Sequence, residues 1–391
     1  MLTLKDFDRF SAVETPFYYY DMDLFGRTVS CLATLAAEYG IIVHYAVKAN
    51  SEGRLLEVMR DAGFGADCVS ANEVARAASC GFAPASIMFA GVGKTDREIR
   101  TAMKIGIGCF NVESLPEMEA INDIAAEMGV RAPVAFRVNP NVDPHTHKYI
   151  TTGLEENKFG ISRYEFDAAI AKLRACSNLK FEGIQFHIGS QITDVANVFG
   201  LEAKCARELV SYFEERGLEV RHIDFGGGLG VDYEDPDGHP LPEFETWLKA
   251  LRSAFPPSGG YELHIEPGRS LVAQCASLIT TVLYVKKGRT KDFVIVDAGM
   301  NDLIRPALYG AYHKVENLSA HYLRDCMTKQ YVYDVVGPIC ESSDVWGEGR
   351  ILSQTCRGDL IAIRTAGAYG RVMASQYNLR DLAPAVYSDE L

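Results

Sequence analysis

The feature that most constrains the fold of this chain is a regular alternation of apolar and amphipathic segments between residues 41 and 266. Eight of the apolar segments have the composition of buried strands, as parallel strands do. They are IIVHYAV (41–47), GADCV (65–69), SIMFAG (86–91), GIGCFNV (106–112), PVAFRVN (133–139), FEGIQFHI (181–188), VRHIDF (220–225) and YELHIE (261–266).

The segments between these strands have the periodicity of amphipathic helices. Four of them are SEGRLLEVMRDAG (51–63), ANEVARAASCG (71–81), TDREIRTAMKIG (95–106) and SLPEMEAINDIAAEMG (114–129). Three of the four begin with a Ser or Thr suited to N-capping, and all four end on Gly, which is typical of a helix C-terminus. Eight strand–helix repeats predict a (β/α)8 TIM-type barrel, with a doubly wound parallel sheet as the alternative.

The alternation stops after residue 266, which indicates a second domain. The segments LVAQCASLITTVLYVKKG (271–288), DFVIVDAG (292–299), KQYVYDVVG (329–337) and DLIAIRTAG (359–367) are β-rich, with turns and little helix between them. The opening PFYYYD (16–21) is also strand-like and is expected to pair with this domain. We therefore predict a barrel over residues 21–266 and an all-β domain, a β-sandwich or barrel, over residues 1–20 and 267–391.

Composition and charge narrow the class of function. A net charge of −13 over 391 residues argues against nucleic acid or an anionic membrane as a partner. The chain has no apolar stretch of membrane-spanning length, and its start lacks the basic-then-apolar pattern of a signal peptide. Its 10 cysteines are scattered without CxxC pairs, as in proteins that keep reduced thiols. These features predict a soluble, cytoplasmic protein.

Polar residues follow most of the predicted strands at their carboxyl ends. In a (β/α)8 barrel those ends meet at one mouth, where active sites lie. Each residue alone has an ordinary structural explanation: Lys48 could reach solvent, Asp67 could cap a helix, and His187 could be a hydrogen-bonded core histidine. Because these residues converge at one mouth, an active site is favoured over separate structural roles. The set is Lys48, Asp67, Arg137 with Asn139, His187 with Ser190, Gly226, Gly227 and Gly228, and Glu266 with Arg269.

Three of these features together indicate pyridoxal phosphate. Lys48 is an amine that can form a Schiff base, and Glu266 can keep a ring nitrogen protonated. The segment DFGGGLGV after the seventh strand, with Ser190, can hold a phosphate on bare backbone N–H groups. It is not a dinucleotide fingerprint, because the third glycine of that motif would fall on Val231.

A metal site is the weaker interpretation. The pair His145-x-His147 lies in a polar loop, and no third ligand stands at a convincing spacing from it.

Four motifs in order, HYAVKAN, GIQFHIGSQ, DFGGGLG and HIEPGRS, resemble those of the alanine-racemase-fold pyridoxal phosphate decarboxylases. Further on, RPALYGAYH, GPICESSDV and AGAYG…MASQYN resemble the diaminopimelate decarboxylase family. The resemblance covers nearly the whole chain. It implies a barrel plus a β domain, and a head-to-tail homodimer in which the segment around Cys340 reaches the partner's cofactor.

The resemblance also implies roles for single residues. The expected catalytic residues are Lys48, Cys340, Glu266 and His187. Expected to bind the cofactor are Lys48, Asp67, Arg137, His187, Ser190, Gly226, Gly227, Gly228, Glu266, Pro267, Gly268, Arg269 and Tyr369. Expected to bind the substrate are Arg269, Arg305 and Tyr309 at its remote carboxylate, Glu341 at its remote amine, and Tyr369.

The chemistry of the residues agrees with that expectation. Two arginines exceed the needs of a simple diamino acid but suit a second carboxylate that does not react, and Glu341 complements a second ammonium. These features favour meso-diaminopimelate, which would yield L-lysine and carbon dioxide in the last step of lysine biosynthesis. Cys340 and Lys48 are both candidates for the acid that protonates the α-carbon.

Alternatives remain at this point. Arg305 and Glu341 could be surface ion-pairing residues. A sibling decarboxylase of ornithine, arginine, lysine or carboxynorspermidine is the nearest rival, and a racemase of the same fold is a more distant one. A non-catalytic regulatory homologue is a different class, but it should have lost Lys48, Cys340 or the glycines, all of which are present.

Overall fold

The computed structural model describes residues 2–139, 158–323 and 329–391. Its internal contacts divide the chain into two compact units. The barrel unit comprises residues 29–230 and 243–268, and the β unit comprises residues 1–28, 231–242 and 269–391. The segment 231–242, which the sequence analysis assigned to the barrel, groups with the β unit. The domain boundaries given by the sequence, 21–266 for the barrel and 1–20 with 267–391 for the β domain, stay a prediction.

The regular elements follow one another along the chain as follows. Up to the end of the barrel they are α1 (Leu4–Phe10), β1 (Phe17–Tyr20), α2 (Met22–Tyr39), β2 (Ile41–Ala46), α3 (Gly53–Asp61), β3 (Gly65–Cys68), α4 (Ala71–Ser79), β4 (Ile87–Phe89), α5 (Asp96–Ile105), β5 (Cys109–Val112), α6 (Leu115–Met128), β6 (Ala132–Arg137), α7 (Phe166–Ala175), β7 (Leu179–Gln185), α8 (Val195–Glu214), β8 (His222–Asp224), α9 (Phe244–Arg252) and β9 (Glu262–Ile265). Beyond it they are α10 (Arg269–Val272), β10 (Ala276–Lys287), β11 (Asp292–Val296), α11 (Arg305–Tyr309), β12 (Val315–Asn317), α12 (Leu318–Leu323), β13 (Gln330–Val336), β14 (Val345–Ser353), β15 (Leu360–Ile363) and β16 (Ala385–Tyr387).

Strands β2 to β9 form a closed parallel barrel in chain order. The barrel closes where β2 pairs with β9, with Ile41 opposite Leu263 and Val43 opposite Ile265. All eight predicted strands are present, so the (β/α)8 barrel is confirmed and the doubly wound alternative is wrong.

The helix ends follow the capping signals in the sequence, with one exception. Thr95 and Ser114 cap α5 and α6 with their side chains, and Gly106 and Gly129 end these helices in the left-handed conformation. Ser51, however, does not cap α3, which begins after Glu52 without a side-chain cap.

An apolar layer lies between the barrel and its helices. Phe136 of β6 packs against Phe213 of α8, which also packs against Phe166 of α7, with ring centroids 6.0 and 5.1 Å apart. All three side chains are fully buried. This packing anchors the strands from outside.

The inside of the barrel is unusually polar. Asn111 of β5 donates a hydrogen bond to Glu266, just beyond β9, at 3.5 Å. Because β5 and β9 are not neighbours in the closed sheet, this contact crosses the interior. Side chains alternate along each strand, so the residues two positions earlier, Cys109 and His264, also point inwards.

The β unit is built on one eight-stranded sheet. Its order is β12-β15-β10-β11-β13-β14, and β1 joins it by pairing with β10 and β16. The predicted pairing of the N-terminal strand with this domain is therefore confirmed, with Phe17 opposite Ile279 and Tyr20 opposite Ala276. Helices α1, α10, α11 and α12 also belong to this unit. The sequence predicted an all-β domain, whereas the unit combines the sheet with these short helices.

No helix in the described part of the chain is long and apolar enough to cross a membrane.

The polar interior generates a prediction about glycine. Gly183 of β7 has no room for a side chain, since a Cβ there would lie 1.8 Å from the carbonyl oxygen of His222. Gly200 of α8 faces open space. Gly183→Ala should lower the free energy of unfolding by about 3 kcal/mol or more, because the strand backbone at His222 cannot move away from the added methyl group. Gly200→Ala should raise it by up to about 1 kcal/mol, through helix propensity. Urea denaturation measures both; equal effects would contradict the steric account.

Candidate active site

Lys48 lies at the mouth of the barrel, on a single 3-10 turn that follows β2. Its ammonium donates a hydrogen bond to Oδ2 of Asp67 at 3.2 Å. The Asp67 side chain is fully buried at the end of β3, while that of Lys48 is 35% exposed. Lys48 is therefore held over a buried carboxylate, and does not simply reach into solvent.

Glu266 occupies the centre of the barrel interior. It accepts hydrogen bonds from Nε2 of Gln185 at 3.0 Å and Nδ2 of Asn111 at 3.5 Å. Burial, followed by the charges of Asp224 and Asp67, raises the pKa of Glu266 well above its ordinary value. A carboxyl group in this state can share a proton with a basic nitrogen placed against it.

The glycine-rich loop follows β8 directly. Gly226 and Gly228 have φ values of +65° and +112°, in a region that side chains rarely adopt. A Cβ on Gly227 would lie 2.3 Å from the carbonyl oxygen of Glu266, so this position also requires glycine.

The N–H groups of this loop are less available than the sequence analysis expected. Gly226 donates to Oδ1 of Asp224 at 2.8 Å, and Gly227 donates to Nδ1 of His187 at 3.3 Å. The expectation of three bare N–H groups is therefore wrong, since two of them fix the loop to the barrel. The N–H of Gly228 donates to no described residue and is the group left for an anion.

His187 follows β7 and is half-buried. Burial, with the charges of Lys48 and Arg137, holds its pKa well below the ordinary value. Its Nδ1 accepts from Gly227, as expected of a neutral imidazole. His187 thus presents a flat, uncharged ring.

Arg137, the last residue of β6, is paired with a carboxylate that the sequence analysis missed. Its Nη1 lies 2.9 Å from Oε1 of Glu113, which also accepts from the N–H of Gly91 at 2.7 Å. The other carboxylate oxygen accepts from the N–H of Gly160 at 3.1 Å. Glu113 follows β5 directly, so the rule that selected the other strand-end residues would have found it.

The other predicted barrel residues lie around the mouth, and two of them pack against the turn that carries Lys48. The carbonyl of Pro267 accepts from the N–H of Ala46 at 3.0 Å, and a Cβ on Gly268 would lie 3.1 Å from those of Ala46 and Ala49. This segment thus packs against the turn that carries Lys48. Asn139 is buried after β6, and Ser190 is half-buried after β7.

In the β unit, two buried arginines share one hydroxyl group. Nη1 of Arg269 lies 2.7 Å from the hydroxyl oxygen of Tyr233, and Nη1 of Arg305 lies 3.0 Å from it. Burial raises the pKa of Tyr233, but the charges of the two arginines outweigh burial and lower it. The sequence analysis missed Tyr233, which lies in the loop 232–240 that it assigned to the barrel. No local pattern marks this residue.

Further contacts fix the orientation of these arginines. Nδ1 of His313 donates to the carbonyl of Arg364 at 2.9 Å, so its Nε2 can accept from Arg305 at 2.9 Å. The guanidinium of Arg269 lies 5.0 Å from the ring centre of Tyr369. Tyr369 has a φ of +54°, a strained conformation for a tyrosine.

The remaining predicted catalytic and substrate residues also lie in the β unit. Tyr309 ends α11 and is half-buried, whereas Cys340 and Glu341 are exposed in a loop after β13. That loop is rigidly built, because the buried Asp344 accepts from the N–H groups of Ile339 and Met300, both at 2.7 Å.

The structure thus places the predicted cofactor residues in the barrel unit, except Arg269 and Tyr369, which lie in the β unit with Arg305. No group of three potential metal ligands occurs in residues 2–139, 158–323 and 329–391. The His145-x-His147 pair lies outside the described residues.

The barrel residues fit pyridoxal phosphate. Several buried polar atoms around Glu266 have no partner in the described part of the chain: Oδ1 of Asp67, Oδ1 of Asn111, Oε1 of Gln185 and Oδ2 of Asp224. Such atoms are costly unless a ligand or water satisfies them. An amine, a carboxyl that can share a proton and a glycine loop match the aldehyde, ring nitrogen and phosphate of this cofactor.

Comparison with known proteins defines the class. Residues 27–273 match the model of the pyridoxal-dependent decarboxylase family, pyridoxal binding domain. The chain therefore belongs to the pyridoxal-dependent decarboxylases, and pyridoxal 5′-phosphate is its cofactor, as predicted.

Full-length relatives place the chain within that class. It is 50% identical over 387 residues to a diaminopimelate decarboxylase of Bacteroides thetaiotaomicron, which covers 98% of each chain. It is 43% identical over 377 residues to that of Pseudomonas aeruginosa, covering 96% of this chain and 88% of the relative. The crystal structure of the Helicobacter pylori diaminopimelate decarboxylase complexed with L-lysine matches with a TM-score of 0.86 and 38% identity, covering 98% of this chain and 94% of that one. Among these decarboxylases, the chain belongs to the diaminopimelate decarboxylase family.

The buried pair at the mouth generates a prediction. Glu113→Gln removes the charge that pairs with Arg137 and turns an amide N–H₂ group towards N–H groups that need an acceptor. It should therefore lower the free energy of unfolding by about 3 to 5 kcal/mol. Glu119 pairs with Lys172 on the surface, and its side chain is 52% exposed. Glu119→Gln should therefore change stability by less than about 1 kcal/mol. Urea denaturation of the two variants compares them, and a similar small loss in both would show that Glu113 is dispensable.

Proposed function

We propose that this chain decarboxylates meso-2,6-diaminopimelate to L-lysine and carbon dioxide, the last step of lysine biosynthesis. The observation that carries the proposal is the pair of buried arginines, Arg269 and Arg305, joined through Tyr233. Two fixed guanidinium groups are suited to a carboxylate that takes no part in the reaction. The names of the relatives and neighbours support the same substrate.

In the proposed mechanism, pyridoxal phosphate would supply, when bound, an electron-withdrawing ring for the electron pair that departing carbon dioxide leaves. The residues of the chain would bind and orient it. Lys48 would be the amine that holds the cofactor, Glu266 would hold a proton at the ring nitrogen, and the neutral ring of His187 would pack against the cofactor ring. Gly228 and Ser190 would contribute hydrogen-bond donors to the phosphate, and Asp67 would hold the Lys48 ammonium between turnovers.

At the substrate, Arg269, Arg305 and Tyr309 bind the remote carboxylate. Glu341 binds the remote amine, and Tyr369 contacts both substrate and phosphate. An ornithine-like substrate would leave the two arginine side chains without an anion, and a buried charge that lacks its partner is costly. The proposal therefore favours a substrate with two amino-acid ends over those of the sibling decarboxylases.

We also propose that the protein acts as a homodimer in the cytoplasm. In the dimer, the partner subunit's Cys340 and the partner subunit's Glu341 complete each active site, and Cys340 or Lys48 protonates the product carbon. The exposure of both residues on a rigid loop supports this assignment. The nine cysteines that the structure describes are free thiols, as expected in a reducing compartment.

The first prediction concerns Lys48. The purified protein with its cofactor should be yellow, and borohydride should bleach the colour and attach the cofactor to Lys48, as peptide mapping would show. Lys48→Ala should lose the adduct and nearly all activity, whereas Lys104→Ala, at an exposed helical lysine, should retain both. A reducible adduct and full activity in Lys48→Ala would mean that another amine is the nucleophile.

The second prediction concerns the substrate. Carbon dioxide should be released from meso-diaminopimelate far faster than from ornithine or arginine. Tyr233→Phe removes the shared hydroxyl, so KM for meso-diaminopimelate should rise about tenfold or more, since a hydrogen bond to a charged group contributes about 1.5 to 3 kcal/mol. Tyr212→Phe, on the exposed side of α8, is the control. Preference for ornithine in the wild-type enzyme would overturn the proposed substrate.

The third prediction concerns the shared site. Lys48→Ala and Cys340→Ala should each be nearly inactive as pure homodimers. In a mixed dimer, one site carries both defects and the other carries neither. Mixing the two variants with subunit exchange should therefore restore up to about a quarter of wild-type activity, since half of randomly paired dimers hold one intact site of two. No recovery, with exchange confirmed by mass spectrometry of tagged subunits, would show that each subunit builds its own site.

A further inference from the structure

Three buried histidines lie inside the barrel and have no part in the function proposed so far. We call His44 of β2, His222 of β8 and His264 of β9 the histidine cluster. Their side chains are nearly inaccessible to solvent. The interior of such barrels is normally filled with Val, Ile and Leu, so three imidazoles at one level require an explanation.

The cluster is held in a defined arrangement. Nδ1 of His44 lies 3.1 Å from the carbonyl oxygen of Ser86, which can only accept, so His44 carries its proton on Nδ1. Its Nε2 therefore accepts from Nδ1 of His264, at 2.9 Å. The ring of His222 stacks on that of His264, with centroids 3.7 Å apart and planes 5° from parallel.

Two carboxylates lie near the cluster, and only that of Asp224 is buried. The other, Glu262, lies 3.9 Å from Nε2 of His264 and is exposed. Asp224 ends β8, two residues after His222, so both side chains point to the interior. Its Oδ2 lies 3.8 Å from Nε2 of His222, and its Oδ1 accepts from the N–H of Gly226. Burial raises the pKa of Asp224, but the neighbouring His222, with His264 and His44, holds it at about 2. Asp224 is therefore ionised although it is fully buried.

Asp224 in turn acts on Glu266. The two residues are joined through Gly226, whose N–H donates to Oδ1 of Asp224 at 2.8 Å and whose carbonyl oxygen accepts from the N–H of Glu266 at 2.7 Å. After burial, the charge of Asp224 is the largest cause of the raised pKa of Glu266. Two carboxyl groups this close cannot both be ionised without a positive charge beside them. A protonated nitrogen placed against Glu266 would supply that charge.

Other charged groups near this pair do not replace Asp224. Asp67 is engaged by Lys48, and its carboxylate adds to the negative charge. Burial, then the charge of Asp224, raises the pKa of the buried Glu202 carboxyl well above its ordinary value. Arg137 is paired with Glu113. The ionised group packed beneath Glu266 is thus Asp224.

We propose that Asp224, held by the histidine cluster, is a positioning residue that acts through Glu266 to make the barrel select a protonated ring nitrogen. The inference rests on the assignment of Glu266 as the partner of that nitrogen. The histidine cluster keeps Asp224 charged, and the charge of Asp224 strengthens the hold of Glu266 on a cation. The cluster therefore tunes cofactor binding without touching the cofactor.

The test compares two ligands on the cofactor-free protein. One is pyridoxal 5′-phosphate, and the other is its 1-deaza analogue, in which carbon replaces the ring nitrogen. Asp224→Asn keeps an oxygen for the Gly226 N–H but removes the charge. We expect this variant to bind pyridoxal phosphate about tenfold or more weakly than wild type, a change equivalent to about one pKa unit. Its affinity for the analogue should stay unchanged. Titration by tryptophan fluorescence gives both affinities.

Controls separate this effect from a structural one. Met88→Leu changes an interior residue that packs with Cys109 and Ala135, and it should leave both affinities as in wild type. An equal loss for the two ligands in Asp224→Asn would show that Asp224 only supports the loop, and no loss for either would show that it has no role. Both results would overturn the proposal. Failure of the wild-type protein to bind pyridoxal phosphate would instead contradict the assignment of the cofactor.

A second variant covers the case in which Asp224→Asn does not fold. His222→Phe keeps a stacking ring but removes the imidazole that faces Asp224 at 3.8 Å and lowers its pKa. Pyridoxal phosphate affinity relative to the analogue should then fall at neutral pH and recover at higher pH, as Asp224 ionises. The proposal is overturned if the ratio of the two affinities stays at the wild-type value. It is also overturned if the ratio falls but does not change with pH.

Discussion

The pairing of β2 with β9 is the constraint on which the chemistry of the barrel depends. Lys48 follows β2 and Glu266 follows β9, so these residues reach the same part of the barrel mouth only because the first and last strands are neighbours. They are more than 200 residues apart in the sequence. Closure also aligns the carboxyl ends of all eight strands at one mouth, which turns a list of isolated polar residues into a site.

Filling that barrel with polar groups has a structural consequence. Each buried polar atom needs a partner, and large polar side chains need space that a layer of Val or Ile would occupy. The chain provides the space with Gly65 and Gly183, where a Cβ would meet His44 and the backbone of His222. It provides partners through Asn111, Gln185 and the histidine cluster, and leaves a few atoms near Glu266 for a ligand.

Most of the barrel could be predicted from the sequence, because local signals determine it. Apolar strands, capping residues and terminal glycines each act over a few residues, and all eight strands were found this way. Strand β14 was missed, since Gly347, Gly349 and two charged residues obscure its pattern. Tyr233 could not be predicted either, because its role depends on two arginines 36 and 72 residues away in the sequence.

A similar distinction applies to most of the site residues. Lys48, Asp67 and Glu266 stand at or near strand ends, where a rule about barrels applies, and the same rule would have found Glu113. The three histidines and Asp224 belong to strands, and only the closed structure shows that their side chains lie together. The N–H groups of the glycine loop were overestimated for a related reason, since the sequence does not reveal that Asp224 and His187 occupy two of them.

Lys48 and Glu266 are expected to hold opposite ends of one cofactor ring system. A crystal structure of the protein with pyridoxal phosphate tests it most directly. The account predicts continuous density from Nζ of Lys48 to the cofactor, and a ring nitrogen within hydrogen-bonding distance of the Glu266 carboxylate. Density that joins the cofactor to another lysine, or that places its phosphate at Glu266, would contradict the account.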